Sequence, residues 1–492
     1  MPVQSQDHCM EPFLPFDIID LVIDHLAKEA TRQRPLLDDD ELATYKIYLT
    51  TLLRLGASCQ TLQRSSRRAL WRSVDLDVSP RQPSASNNAG GTECGPADLI
   101  HISAVFPFDL SLPLWSISPS SNPDAPEPVM VATSSAFSLP VDHVRKLSVL
   151  VYSSSRRGVN WQFKTLMSLL RLFPGPLRSV HIHGVTLPNS ALALILSHLS
   201  AHLVTFTLSQ HGKVLFDQSD PSDQFNDWVY NLNHITLPML ERMYFEAWLS
   251  LPDEHTSSNV QVKSLPIMPA ATTVNVKART VSCDLACSAA HANMFFWVKR
   301  WSPHSNPAPT LDSCRLRHLG VFVEKDPFPF ALLPPAALAA IQHLHIKAVV
   351  LSLAAPFAHF PVSSSMPGLR TLTLTNFYAT SLAHVPWSRL SNLEALTLAA
   401  DAENLDPAAL DCNGYAFGTL PLGGGGQIQV DVELPYLRTL SVSHVQLVYS
   451  RSTKLKFHCP RLTRLVAGDK HLPEIVPESV LAQVSVEEVY SS

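Results

Sequence analysis

Charge is scarce in this chain. Asp, Glu, Lys and Arg make up 16% of its residues, against roughly 25% in ordinary soluble domains. The formal net charge is −5, and no basic stripe runs through the sequence, so electrostatic capture of nucleic acid has no support. Long apolar runs are also missing: no stretch reaches the roughly eighteen apolar residues of a membrane span. The greasiest segment, Phe328 to Phe360, is broken by Pro334, Pro335, His343, His345 and Lys347. The opening MPVQSQDHCMEPF lacks the basic-then-apolar layout of a signal peptide, and there is no Asn-x-Ser/Thr sequon. Eight cysteines scattered over 492 residues are no disulfide framework. These absences lead us to expect a reduced, intracellular protein of the cytoplasm or nucleus, with neither membrane nor nucleic acid among its partners.

Catalytic signatures are equally thin. There is no G-x-S-x-G elbow and no H-E-x-x-H helix. The run Gly423 to Gly426 lacks the following Lys-Ser/Thr that would meet phosphates and metal, so it reads as a loop. Cys283, Cys287 and His291 are spaced at four and would align on a helix. No second half with finger-like spacing follows, although Cys314 is available. The expectation is a non-catalytic chain with no metal and no cofactor.

What the chain has is apolar residues, 46% of the total. That suffices for a large core spread over two or three domains or one long repeat array. From Val141 onward a six-residue pattern recurs, apolar at its first, fourth and sixth positions. It reads Val144/Leu147/Val149, Leu177/Val180/Ile182, Leu203/Phe206/Leu208 and Leu240/Met243/Phe245. It goes on through Leu316/Leu319/Val321, Ile341/Leu344/Ile346, Leu369/Leu372/Leu374 and Leu393/Leu396/Leu398, and closes with Leu437/Leu440/Val442 and Leu462/Leu465/Ala467. Offsets of 26, 25, 28, 24 and 25 residues separate neighbouring units, near the leucine-rich-repeat period of about 20–29. The gap of 44 residues from Leu393 to Leu437 is expected to hold two short units, and Leu251 to Ser313 reads as an insertion. Helices are predicted over Trp161–Leu172, Ser190–Leu199, Gln224–Leu232 and Ala336–Ile341, so strand followed by helix, repeated, implies a leucine-rich-repeat-like α/β solenoid. In LRTLTLTNF the ladder asparagine of that repeat falls on Phe377, not Asn376.

The N-terminal part differs. Leu14-Pro15 opens a helix, where proline costs little, and Asp17 sits in a first turn that favours negative charge. Ile18, Ile19, Val22, Ile23 and Leu26 form one apolar stripe. A second helical face carries Leu52, Leu55 and Cys59, and a short third helix ends at Leu70-Trp71. Val74, Leu76 and Val78 then alternate as a strand. LPFDIIDLVIDHL and TLLRLGASCQTLQRSSRRALWRSVDL together resemble the F-box of fungal proteins. The resemblance implies a three-helix docking module whose Leu14, Pro15, Ile18, Ile19, Leu70 and Trp71 contact a Skp-family adaptor or hold the helices together. Val22, Ile23, Leu26, Leu52, Leu55 and Cys59 are assigned to the same adaptor-binding module.

The expected fold class is therefore α plus α/β, a small three-helix F-box module followed by an irregular leucine-rich-repeat-like solenoid. Residues 1–11 would form a tail, 12–78 the module, 79–136 a partly ordered linker, 137–470 the repeats and 471–492 a second tail. The expected role is substrate recognition for a cullin-based ubiquitin ligase of the SCF type, with an unknown protein target held by the repeats. The rival readings are an F-box scaffold that never reaches cullin and an enzyme with an unrecognised site. Third, fifth and seventh positions of each unit should project from the strand face. The richest of them, Arg242, Tyr244, Phe322, His343 and His345, are the candidate target-binding residues, with binding that changes between about pH 6 and 7 as histidines titrate.

Overall fold

In the computed structural model the described residues are 51, 54, 66, 72–80, 100–106, 110–118, 129–132, 141–151, 159–213, 228–250, 260–282, 293–302, 316–323, 327–333, 335–352, 355–357, 360–361, 365–400, 428–443, 453–467 and 476–488. They fall into two compact units, Met1–Ser155 with Phe163–His183, and Arg156–Gln162 with Gly184–Ser492.

The first unit contains β1 (Ser73–Pro80), β2 (Ile100–Phe106), β3 (Leu110–Ser118), β4 (Val129–Ala132) and β5 (Lys146–Val151). Most of α1 (Val159–Arg171) and β6 (Ser179–His183) follow. The alternation of Val74, Leu76 and Val78 does make a strand: all three are buried in β1. β1 pairs antiparallel with β2 and parallel with β5, and β5 pairs parallel with β6. β2, β3 and β4 form an antiparallel run.

The second unit starts with α2 (Asn189–Leu199), β7 (Thr205–Lys213), β8 (Val229–Asn231), β9 (Arg242–Ser250) and β10 (Gln261–Ser264). Next come β11 (Thr273–Ser282), β12 (Asn293–Ser302), β13 (His318–Val323), α3 (Pro335–Ala340), β14 (His343–Ser352) and β15 (Thr371–Phe377). It ends with α4 (Ala379–Leu382), β16 (Ala395–Ala399), β17 (Ile428–Glu433), β18 (Thr439–Val442), β19 (Thr453–His458), β20 (Arg464–Ala467), α5 (Glu478–Leu481) and β21 (Ser485–Glu488). Its spine is a parallel sheet in the order β7-β9-β11-β12-β13-β14-β15-β16-β18-β20-β21.

The six-residue pattern accounts for this sheet. Fourth and sixth positions stack across strands in unbroken rows, for example Leu319, Leu344, Leu372, Leu396 and Leu440, all at most 2% exposed. The first position plugs the turn ahead of each strand: Leu240, Leu316, Ile341, Leu369, Leu393 and Leu437 are completely buried. Register is then locked by the backbone. The N–H groups of Gln342 and His343 both donate to the Arg317 carbonyl, those of Arg370 and Thr371 to Gln342, and those of Glu394 and Ala395 to Arg370. A one-residue slip would break each fork and expose the apolar row.

The structure corrects the expected fold class. The described residues form an α/β fold dominated by parallel sheet, with five α-helices among them, and not a three-helix module followed by a leucine-rich-repeat-like solenoid. A helix-backed horseshoe needs a helix in each connection. Here three of the five helices, α3, α4 and α5, are only 6, 4 and 4 residues long. The predicted helix Gln224–Leu232, of which residues 224–227 lie outside the described residues, is overturned over the rest: Val229–Asn231 is strand, because Trp228, Tyr230 and Leu232 are buried at a period of two. The insertion Leu251–Ser313 contains β10, β11 and β12: β11 and β12 belong to the spine, and β10 pairs parallel with β11. The gap from Leu393 to Leu437 adds no strand between β16 and β18, which pair directly; β17 pairs with β19 in a separate two-stranded sheet. Of the F-box-like segment, Thr51, Arg54 and Ser66 are helical; Leu14, Pro15, Ile18, Ile19, Val22, Ile23, Leu26, Leu52, Leu55, Cys59, Leu70 and Trp71 lie outside the described residues.

Candidate binding face

Because the strands run in phase, the positions between the apolar rows also line up. The third-position row reads Arg242, Thr273, Asn293, His318, His343 and Thr371. The fifth reads Tyr244, Asn275, Phe295, Gly320, His345 and Thr373, and the seventh Glu246, Lys277, Trp297, Phe322, Lys347 and Thr375. Adjacent members are about 4.8 Å apart along the sheet, close enough for cross-strand side chains to touch.

They do touch. The Trp297 and Phe322 rings stack with centroids 5.1 Å apart and planes 17° off parallel. Phe322 meets His345 edge-on at 5.6 Å, and His318 lies on His343 at 4.2 Å. Gly320 makes room for this cluster, since a Cβ there would collide with the Phe295 ring of the neighbouring strand. On the other side, the Lys277 ammonium sits 4.7 Å from the centre of the Trp297 ring and 2.5 Å from Glu246. Glu246 is 2% exposed and accepts hydrogen bonds from the Ser209 hydroxyl at 2.7 Å and the Tyr244 hydroxyl at 3.2 Å. The result is an aromatic centre flanked by an ion pair.

Electrostatics sort the titratable groups. Burial, then the charge of Glu246 and its hydrogen bond, push the Tyr244 phenol up to about 12. Burial, with His343 and Arg317 nearby, lowers His318 from its ordinary value of 6.5, which favours the neutral ring on this face. His343 Nδ1 is 2.6 Å from the Thr371 hydroxyl and His345 Nε2 is 3.3 Å from that of Thr375.

Of the sequence-predicted residues, Phe322 on β13 and His345 on β14 are in direct contact, and His343 shares β14 with His345. Arg242 and Tyr244 share the face but stand apart, because β11 and β12 intervene. Those two strands bring in Asn275, Lys277, Phe295 and Trp297, which sequence reading had missed inside the insertion. A usable signal existed: in NMFFWV, Met294, Phe296 and Val298 alternate with Phe295 and Trp297.

Cys283, Cys287, His291, Cys314 and Gly423 to Gly426 lie outside the described residues. Among the described residues no three His, Cys, Asp or Glu side chains are arranged to hold a metal, and no helix is long and apolar enough to cross a membrane. Compared with protein-family models the chain matches none, and no curated protein matches it either.

Proposed function

We propose that this chain is the target-recognition subunit of an SCF-type ubiquitin ligase, binding a partner protein on the sheet face centred on Trp297 and Phe322. The observation that carries the binding half is an aromatic cluster left partly open on a parallel sheet, a construction in which both faces are ordinarily covered. Trp297 is 36% exposed, and clusters of this kind, rich in aromatics with neighbouring cations, concentrate interface energy. The docking half rests on the F-box-like sequence between Leu14 and Trp71, through which the chain would hold a Skp-family adaptor and thereby cullin. Its catalysis would be proximity, raising the effective concentration of target lysines at the ubiquitin donor.

The test is co-purification of the full chain with adaptor and cullin, beside a Leu14→Ala/Pro15→Ala variant. Loss of both partners from the variant is expected; adaptor capture that survives would remove the docking assignment. Adaptor without cullin in the unaltered chain would leave an interaction scaffold in place of a ligase subunit.

A further inference from the structure

A second site lies away from the aromatic face, at the starts of β15, β16 and β18. Second-position residues of successive strands form their own row there, in the order Gln342, Arg370, Glu394 and Arg438, fixed by the forked backbone hydrogen bonds that begin each strand. Arg370 and Arg438 therefore flank Glu394 at one strand spacing on either side, about 4.8 Å. The turn before β18 adds Tyr436 and the turn before β20 adds Arg461, whose guanidinium lies 4.9 Å from the Tyr436 ring centre. Together with Asn392 these residues enclose a cleft of about 230 Å³.

Its charge is unbalanced. Glu394 takes Arg370 at 2.6 Å. Among the described residues neither Arg438 nor Arg461 has a carboxylate within ion-pair distance. Three arginines against one glutamate leave +2 on the lining. Like charges held together in a concave polar site raise the local concentration of anions, and guanidinium forks match phosphate oxygens in geometry. A phosphate monoester carries about −1.5 to −2 at neutral pH, which balances that charge where a single carboxylate would leave half of it unmet. A cleft of 230 Å³ exceeds the roughly 30 Å³ share of one water several-fold, so it accommodates a phosphoryl group together with the group that bears it. The exposed Tyr436 ring, 45% accessible, offers that group an apolar wall.

We propose that the cleft of Arg370, Arg438, Arg461 and Tyr436 binds a phosphate monoester, with Arg438 and Arg461 holding the phosphoryl oxygens and Glu394 limiting affinity by competing for Arg370. The site is independent of the aromatic face and of any ligase role.

The experiment is calorimetric titration of the full chain with phenyl phosphate, with benzenesulfonate as a monoanionic comparator. Saturable binding of phenyl phosphate into the low millimolar range is expected, tighter than that of benzenesulfonate. Binding should weaken below about pH 6, where the dianion takes up a proton and becomes a monoanion. Arg438→Gln with Arg461→Gln should cost about tenfold or more in affinity, the scale of losing hydrogen bonds to a charged group. Glu394→Gln should tighten binding, an outcome that a merely structural role for Glu394 would not produce. Absence of saturable binding, equal affinity for the two probes, or an arginine variant that binds unchanged would overturn the proposal. A phosphotyrosine peptide that binds tighter than phenyl phosphate would place the ligand on a protein chain; one that binds no tighter would place it among small molecules.

Discussion

Gly320 shows how much a single side chain, or its lack, decides here. The Phe295 ring occupies the space where a Cβ would stand, so Gly320→Ala forces the ring aside in a packed cluster. Overpacking of this kind costs about 1–3 kcal/mol, and urea denaturation of the variant should show a loss in that range. Asn376 is another such residue. It holds a positive φ of 66°, is completely buried, and donates its side-chain N–H to the Ala348 carbonyl at 2.8 Å. The repeat pattern had pointed one residue further, to Phe377, because spacing alone cannot tell which residue will turn its backbone left-handed; asparagine does so more readily than other non-glycine residues. In the first unit, burial together with the charges of Lys146 and His183 pushes His181 down to about 4. A base whose folded value lies below its unfolded 6.5 contributes stability that is full above 6.5. That contribution is lost as pH falls toward 4, because the unfolded chain takes the proton first. Denaturation at about pH 7 and about pH 5 should therefore show a smaller acid loss for His181→Asn than for the unaltered chain; an equal loss would assign the acid sensitivity to other groups.

At the scale of elements, strands were legible and their count was not. Each six-residue unit read from the sequence falls on a strand, since an apolar residue ahead of an alternating pair can plug a turn and then face one side of a sheet. β11 escaped notice because its turn is plugged by Ala271 where other units have leucine, isoleucine or valine. The false helix at Gln224–Leu232 came from reading amphipathic spacing where Trp228, Tyr230 and Leu232 follow a strand's period of two. Most of the binding face was hidden for the same reason, as Lys277 and Trp297 sit on the strands that were read as insertion. β12 now supplies a sharp contrast between neighbours. Phe296 is 1% exposed and faces the core, so Phe296→Ala should cost about 3–5 kcal/mol. Trp297 points to the open face, so Trp297→Ala should leave most stability in place and instead reduce capture of any partner bound there. Denaturation curves and partner pull-down on the two variants should diverge in opposite senses; a Trp297 variant as unstable as the Phe296 one would mean that the ring serves packing alone.

For the whole molecule, apolar content foretold a large core and the six-residue period located strands within it, whereas the dominance of sheet over helix was not written in any short pattern. Whether a connection becomes helix or extended chain depends on what packs beside it, and that partner is remote in sequence. The same logic bears on the run Arg81 to Gly91, built from Arg, Gln, Pro, Ser, Ala, Asn and Gly, a composition with too little apolar surface to offset its own ordering. It belongs to the connection between β1 and β2, whose ends meet at the Pro80–Ile100 pair. Deleting residues 81–91 leaves residues 92–99 to join the strands, more than the two to five that a hairpin connection needs. Loop-closure entropy falls by about 0.6 kcal/mol for each halving of a loop, so the shortened chain should unfold at the same denaturant midpoint or slightly above it. A midpoint clearly below that of the full chain would show that the excised residues pack against the β1–β2 pair and that composition misjudged them.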